Sequence, residues 1–66
     1  MTPAEYRAVE HALGHPSKRV LAALLGVSER AVANWRAGET AQMDGPTERL
    51  LRLLARRPDL VAELAA

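Results

Sequence analysis

Arg30 and Asn34 stand four residues apart in the stretch ERAVANWRA, positions 29–37, with Ala33 beside them. On a helix that spacing puts them on one face, because residues three and four apart lie one above the other. Val32 and Trp35 fall on the other side and form the apolar pair that turns inward. The outward face then carries Glu29, Arg30, Ala33, Asn34 and Ala37. A guanidinium and a carboxamide beside a bare methyl group suit the edges of base pairs: arginine donates twice to guanine, asparagine pairs with adenine, and alanine packs on a thymine methyl. Glu29 has two uses open to it, accepting from cytosine or stabilising the first helical turn through the helix dipole.

Other residues with chemical potential lack the company they need. His11 and His15 are four apart, but Gly14 and Pro16 interrupt the helix between and after them, and no further ligand set accompanies them. Ser17 near His15 has neither an orienting acid nor a glycine-rich nucleophile turn. Trp35 follows Val32 on the buried face and reads as core, not as a stacking platform. A chain of 66 residues also has little concave space. The expectation is a binding protein with no enzymatic activity, no cofactor and no metal.

The elements that position Arg30 and Asn34 are all helical, since Ala, Leu, Arg and Glu dominate and no alternating β-branched run occurs. Thr2-Pro3-Ala4-Glu5 is a capping box with proline at the first helical position, and Tyr6, Val9 and Leu13 repeat on one face, which predicts a helix over 3–13. Ser17 caps a second helix with Leu21, Leu24 and Leu25 as its stripe, stopped by Gly26. Ser28 caps a third over 29–37. Pro46 begins a fourth over 46–57, with Leu50, Leu53 and Leu54 as the stripe and Leu51 to one side, and Pro58 begins a fifth over 58–65. Only Gly26-Val27-Ser28 separates the second and third helices, so they must cross steeply, as in a helix-turn-helix over 17–37. Ala22 is small where those helices touch, and Leu21, Leu25, Val27, Val32 and Trp35 fill their shared core.

The segment LAALLGVSERAVANWRAG resembles the helix-turn-helix of the Cro/C1 (XRE-type) repressor family. The later GPTERLLRLLARRPDL resembles the small DNA-binding domains of MqsA-type antitoxins and of phage or mobile-element regulators, including anti-CRISPR-associated autorepressors. The resemblance implies an all-α, five-helix, lambda-repressor-like domain over 1–66, usually dimeric, that binds operator DNA and often represses its own operon. Relatives often open the second helix with a glutamine where this chain has Lys18, and often place an acid after the tryptophan where it has Arg36. Lys18, Arg19 and the Ser28 hydroxyl are placed for phosphate contacts, with Thr40 and Gln42 as loop candidates. Arg36 is either a further phosphate contact or a solvated arginine.

Composition neither forces nor forbids this reading. The net charge is +1, but residues 1–37 carry +2 and the remainder −1, a slight basic bias toward the candidate reading half. With no cysteine the fold rests on apolar burial, which suits a reducing cytoplasm. Residues 1–7 lack the pattern of a signal peptide, and no stretch approaches the ~20 apolar residues of a membrane span. Leu51, with Leu60, Val61 and Leu64, is the expected homodimer surface, because it lies off the presumed core stripe. The expected partners are therefore double-stranded DNA and a second copy. An adaptor that binds a protein such as a toxin is the alternative.

Overall fold

Hydrogen-bonding caps in the sequence mark where the first three helices begin. In the computed structural model, which describes residues 1–65, α1 spans Pro3–Ala12, α2 Lys18–Leu25, α3 Glu29–Arg36, α4 Gly45–Arg56 and α5 Asp59–Ala65. The described residues contain no strand. The Thr2 hydroxyl accepts from the Glu5 amide at 3.1 Å while the Glu5 carboxylate accepts from the Thr2 amide at 2.8 Å. Both orphan amides are thereby satisfied. Ser17 and Ser28 accept in the same way from Val20 and Ala31. Asp44 makes no such bond, and α4 relies on Pro46 in its first turn. No helix end differs from the sequence expectation by more than one residue.

The connection between α2 and α3 depends on Gly26, which adopts the left-handed conformation (φ 70, ψ 31) and donates its amide to the Ala22 carbonyl. Val27 donates to the same carbonyl at 3.1 Å. A side chain at position 26 would meet no neighbour, so the demand on this residue comes from the backbone alone.

Around this turn Leu21, Ala22, Val32 and Trp35 are buried with Tyr6 and Val9 of α1 and Leu51 of α4, while Leu25 and Val27 pack partly buried at the margin. The Tyr6 and Trp35 rings meet edge to face at 5.9 Å. α2 packs on α3, α1 on α3 and α4, and α5 on α2 and α4.

On α4 the expected stripe is corrected. Thr47, Leu51 and Leu54 are buried, Leu50 is half-buried, and Leu53 is 39% exposed. Positions 47, 51 and 54 are spaced four and three apart and share a face. A stripe chosen from leucines alone passes over Thr47, the residue that anchors that face. Leu51 has no exposed surface, so it cannot meet a second copy as the sequence reading expected. Leu60 and Val61 are half-buried and Leu64 is 50% exposed.

Candidate nucleic-acid interface

α3 divides its residues between core and solvent along its length. Val32 and Trp35 are buried, Glu29, Arg30, Asn34 and Ala37 are exposed, and Ala33 is half-buried between them. Ser28 fixes the start of the helix: its oxygen accepts from the Ala31 amide, leaving the hydroxyl hydrogen free to donate outward. Lys18 and Arg19 open α2 and are exposed just past the Ser17 cap. Arg19, Lys18 and Arg30 make no ion pair among the described residues, so their charges stand unneutralised on the α2–α3 side.

Two residues expected at phosphate are committed elsewhere. Thr40 is buried, and its hydroxyl donates to the Met1 carbonyl at 2.7 Å, tying the loop after α3 to the start of the chain. Arg36 turns toward α1: its Nε donates to Glu10 Oε2 at 2.9 Å, its Nη2 lies 2.8 Å from Oε1, and Nη2 also donates to the Pro16 carbonyl at 2.6 Å. Hydrogen bonding to Glu10 raises the Arg36 pKa further above its ordinary value. Arg36 is thus not a free phosphate contact, although its side chain stays 36% exposed, because its charge is matched by a buried carboxylate and its Nε and Nη2 are already engaged. Gln42 is exposed in the loop.

Glu10 is the residue that sequence reasoning missed. It lies four after Tyr6 and next to Val9, on the face of α1 that turns inward, and it is only 7% exposed. An acid on an apolar stripe signals a buried partner, and the cation after Trp35 was the one within reach.

His11 and His15 bring their rings edge to face at 5.5 Å. Among the described residues no group of three or more histidine, cysteine or carboxylate side chains gathers as a metal site. No helix is long and apolar enough to cross a membrane.

α4 and α5 frame an apolar groove of about 330 Å³ lined by Leu50, Leu53, Leu54, Leu60, Glu63 and Leu64. Leu64 also borders a second depression with Val20, Ala23 and Leu24 of α2. Of the four leucine and valine positions expected at a dimer surface, Leu60 and Leu64 line this apolar region, the half-buried Val61 does not, and Leu51 is buried in the core. In comparisons with known proteins, the chain matches no family model, no curated protein and no solved structure.

Proposed function

We propose that this chain is a sequence-specific DNA-binding regulator of the repressor type, in which α2 and α3 act as a helix-turn-helix of the Cro/C1 kind and α3 enters the major groove. The observation that carries the reading is the division of α3. Val32 and Trp35 hold it to the core, while Arg30 and Asn34 are exposed beside the half-buried methyl of Ala33, and Arg30 has no ion pair among the described residues. Arg30 donates two hydrogen bonds to guanine, Asn34 pairs with adenine, and Ala33 rests on a thymine methyl. Lys18, Arg19 and the free hydrogen of Ser28 hold phosphates and set the register without reading sequence. The reading helix meets DNA without first breaking an internal ion pair.

One such module buries only about 600–1,000 Å² on DNA, so two copies related by a two-fold axis read a longer site. The apolar region of Leu53, Leu60 and Leu64 is the surface through which they pair in this proposal, with recognition helices about 34 Å apart on an inverted repeat. The exposed Leu53 and Leu64 favour a second reading, an adaptor that binds an apolar protein surface such as that of a toxin.

Selection of bound duplexes from a random DNA pool at moderate salt separates the two. A symmetric consensus with half-sites one helical turn apart is expected. No enrichment, together with leucine-dependent binding to a protein, sinks the DNA reading and leaves the adaptor.

A further inference from the structure

α2 and α3 meet at the Gly26 turn, so the start of α2 and the end of α3 are the ends that diverge. One side chain spans that gap. Arg36 is the last residue of α3, and its Nη2 donates at 2.6 Å to the carbonyl of Pro16, which immediately precedes the Ser17 cap of α2. Among the described residues no other side-chain hydrogen bond joins α3 to the chain leading into α2. α1 holds the same guanidinium: Nε donates to Glu10 Oε2 at 2.9 Å and Nη2 lies 2.8 Å from Oε1. The helix pair is thus fixed at its apex by the backbone of Gly26 and across its mouth by Arg36.

Stability alone gives no reason for this bridge. Glu10 is buried, and a well-packed apolar pair in place of a buried ion pair is commonly as stable or more so. Burial, and then Glu10, push the Tyr6 hydroxyl above its ordinary pKa, so it stays neutral and leaves the charge of Arg36 to Glu10. What an apolar pair lacks is direction. A planar fork holds acceptors on two different elements at set angles. We propose that Arg36, held by Glu10, is a positioning residue that sets the angle between α2 and α3, and with it the spacing between the phosphate-holding start of α2 and the reading face of α3. The inference rests on the nucleic-acid reading above. In a duplex the distance from phosphate to base edge is fixed, so Lys18 and Arg19 at phosphate bring Arg30 and Asn34 into register only while the two helices keep one angle. Binding constellations tolerate misplacement of only about 0.5 Å and 10–20°.

The main variant is Glu10→Met combined with Arg36→Met, which leaves the net charge unchanged and no charge buried alone. Arg36→Lys is the second, because an ammonium keeps the charge without the fork. In the DNA-free chain, residual dipolar couplings of the α2 and α3 amides should no longer fit the wild-type interhelical angle in the double variant, while chemical denaturation should give a stability near that of the wild type. Affinity is then measured, at one salt concentration, for a duplex selected by the wild type and for a scrambled duplex of equal length. The ratio of the two affinities should fall about tenfold in the double variant and by less in Arg36→Lys. Nearly all of the loss should fall on the selected duplex, since sequence-independent contacts do not depend on the angle. The proposal is overturned if the couplings of the double variant fit the wild-type angle, or if both duplexes lose affinity equally so that the ratio is kept, as a merely structural role requires. Should the double variant fail to fold, Arg36→Lys is put to the same two measurements and the same two outcomes. A wild type that selects no duplex overturns the nucleic-acid reading, and the couplings, which need no DNA, still decide whether Arg36 sets the angle.

Discussion

The α2–α3 pair and the α4–α5 pair are built from similar residues and spend them differently, although Arg49 and Arg56 of α4 also make no ion pair among the described residues and Arg36 of α3 does make one. On the first, the apolar residues Leu21, Val32 and Trp35 are buried, and Lys18, Arg19 and Arg30 lie at the surface with no ion pair among the described residues. On the second, Arg52 is bound to Glu5 at 3.1 Å and to Glu48 at 3.5 Å, Arg57 is bound to Asp59, and Leu53 and Leu64 are left exposed. One surface carries free cations and the other exposed apolar side chains. Net charge averages these two surfaces to +1 and hides the difference.

The comparison breaks most visibly within α4, where neighbouring leucines have different tasks. Leu51→Ala should destabilise the domain by about 2–5 kcal/mol, because a fully buried side chain is removed from a small core. Leu53→Ala, at a 39% exposed position, should change stability by less than about 0.5 kcal/mol. Sedimentation at matched concentration should nevertheless show Leu53→Ala self-associating less than the wild type. Chemical denaturation of both variants checks the first contrast, and equal losses would mean that α4 presents a different face to the core.

On α3 the expected effect is on selectivity and not on stability. Arg30→Ala and Asn34→Ala should each cost about 1–3 kcal/mol of discrimination at distinct base positions. Their melting temperatures should stay near that of the wild type, since both side chains are exposed. Competition binding against single-base variants of a selected site measures this. Two variants with the wild-type preference profile would show that other residues read the bases.

A smaller effect sharpens the contrast between free and paired cations. Lys18→Ala should reduce the slope of log affinity against log salt by about 0.9, the value for one lost phosphate contact. Arg52→Ala should leave the slope unchanged, because its charge is already matched by Glu5 and Glu48. Equal slopes for the two variants would place Lys18 away from the DNA backbone.

How far the sequence alone reached follows the same division. Caps, turn glycine and the inward face of α3 were legible because each depends on residues within a few positions of one another: Thr2 with Glu5, Ser28 with Ala31, Gly26 with Ala22. Thr40, Arg36 and Leu51 were misplaced because their partners are distant in the chain. Thr40 meets Met1, Arg36 meets Glu10 and Pro16, and Leu51 meets the core shared with α1. A helical wheel ranks faces by hydropathy, and it gives no reason to prefer a threonine-anchored face or to pair an acid with an arginine two helices away. The outward direction of Arg30 and Asn34 was legible, since it is set by Val32 and Trp35 in the same two turns.

The smallest effect lies on the scaffold side and is read through pH. Hydrogen bonds from the Thr2 backbone, then from Arg52, hold the Glu5 carboxyl down from 4.5 to about 2, and Glu48 and Asp59 are also lowered, by the chain's amino terminus and by Arg57. A carboxylate whose pKa is lower in the folded than in the unfolded chain binds fewer protons when folded, so its contribution is complete above about 4.5 and is lost as the pH falls through about 2. All three groups belong to α1, α4 and α5, so acid should loosen the attachment of α1 to α4 before it disturbs the α2–α3 turn, which is held by the Gly26 conformation and by apolar contacts. Melting temperature should fall across that interval, and Glu5→Gln should flatten part of the fall while losing some stability at neutral pH. Carboxyl carbon shifts followed from pH 6 to 2 locate the titration itself. A Glu5 midpoint near its ordinary value of 4.5 would show that the capping box and the Arg52 bridge are open in solution, and the contrast between a paired scaffold and an unpaired reading face would lose one of its two sides.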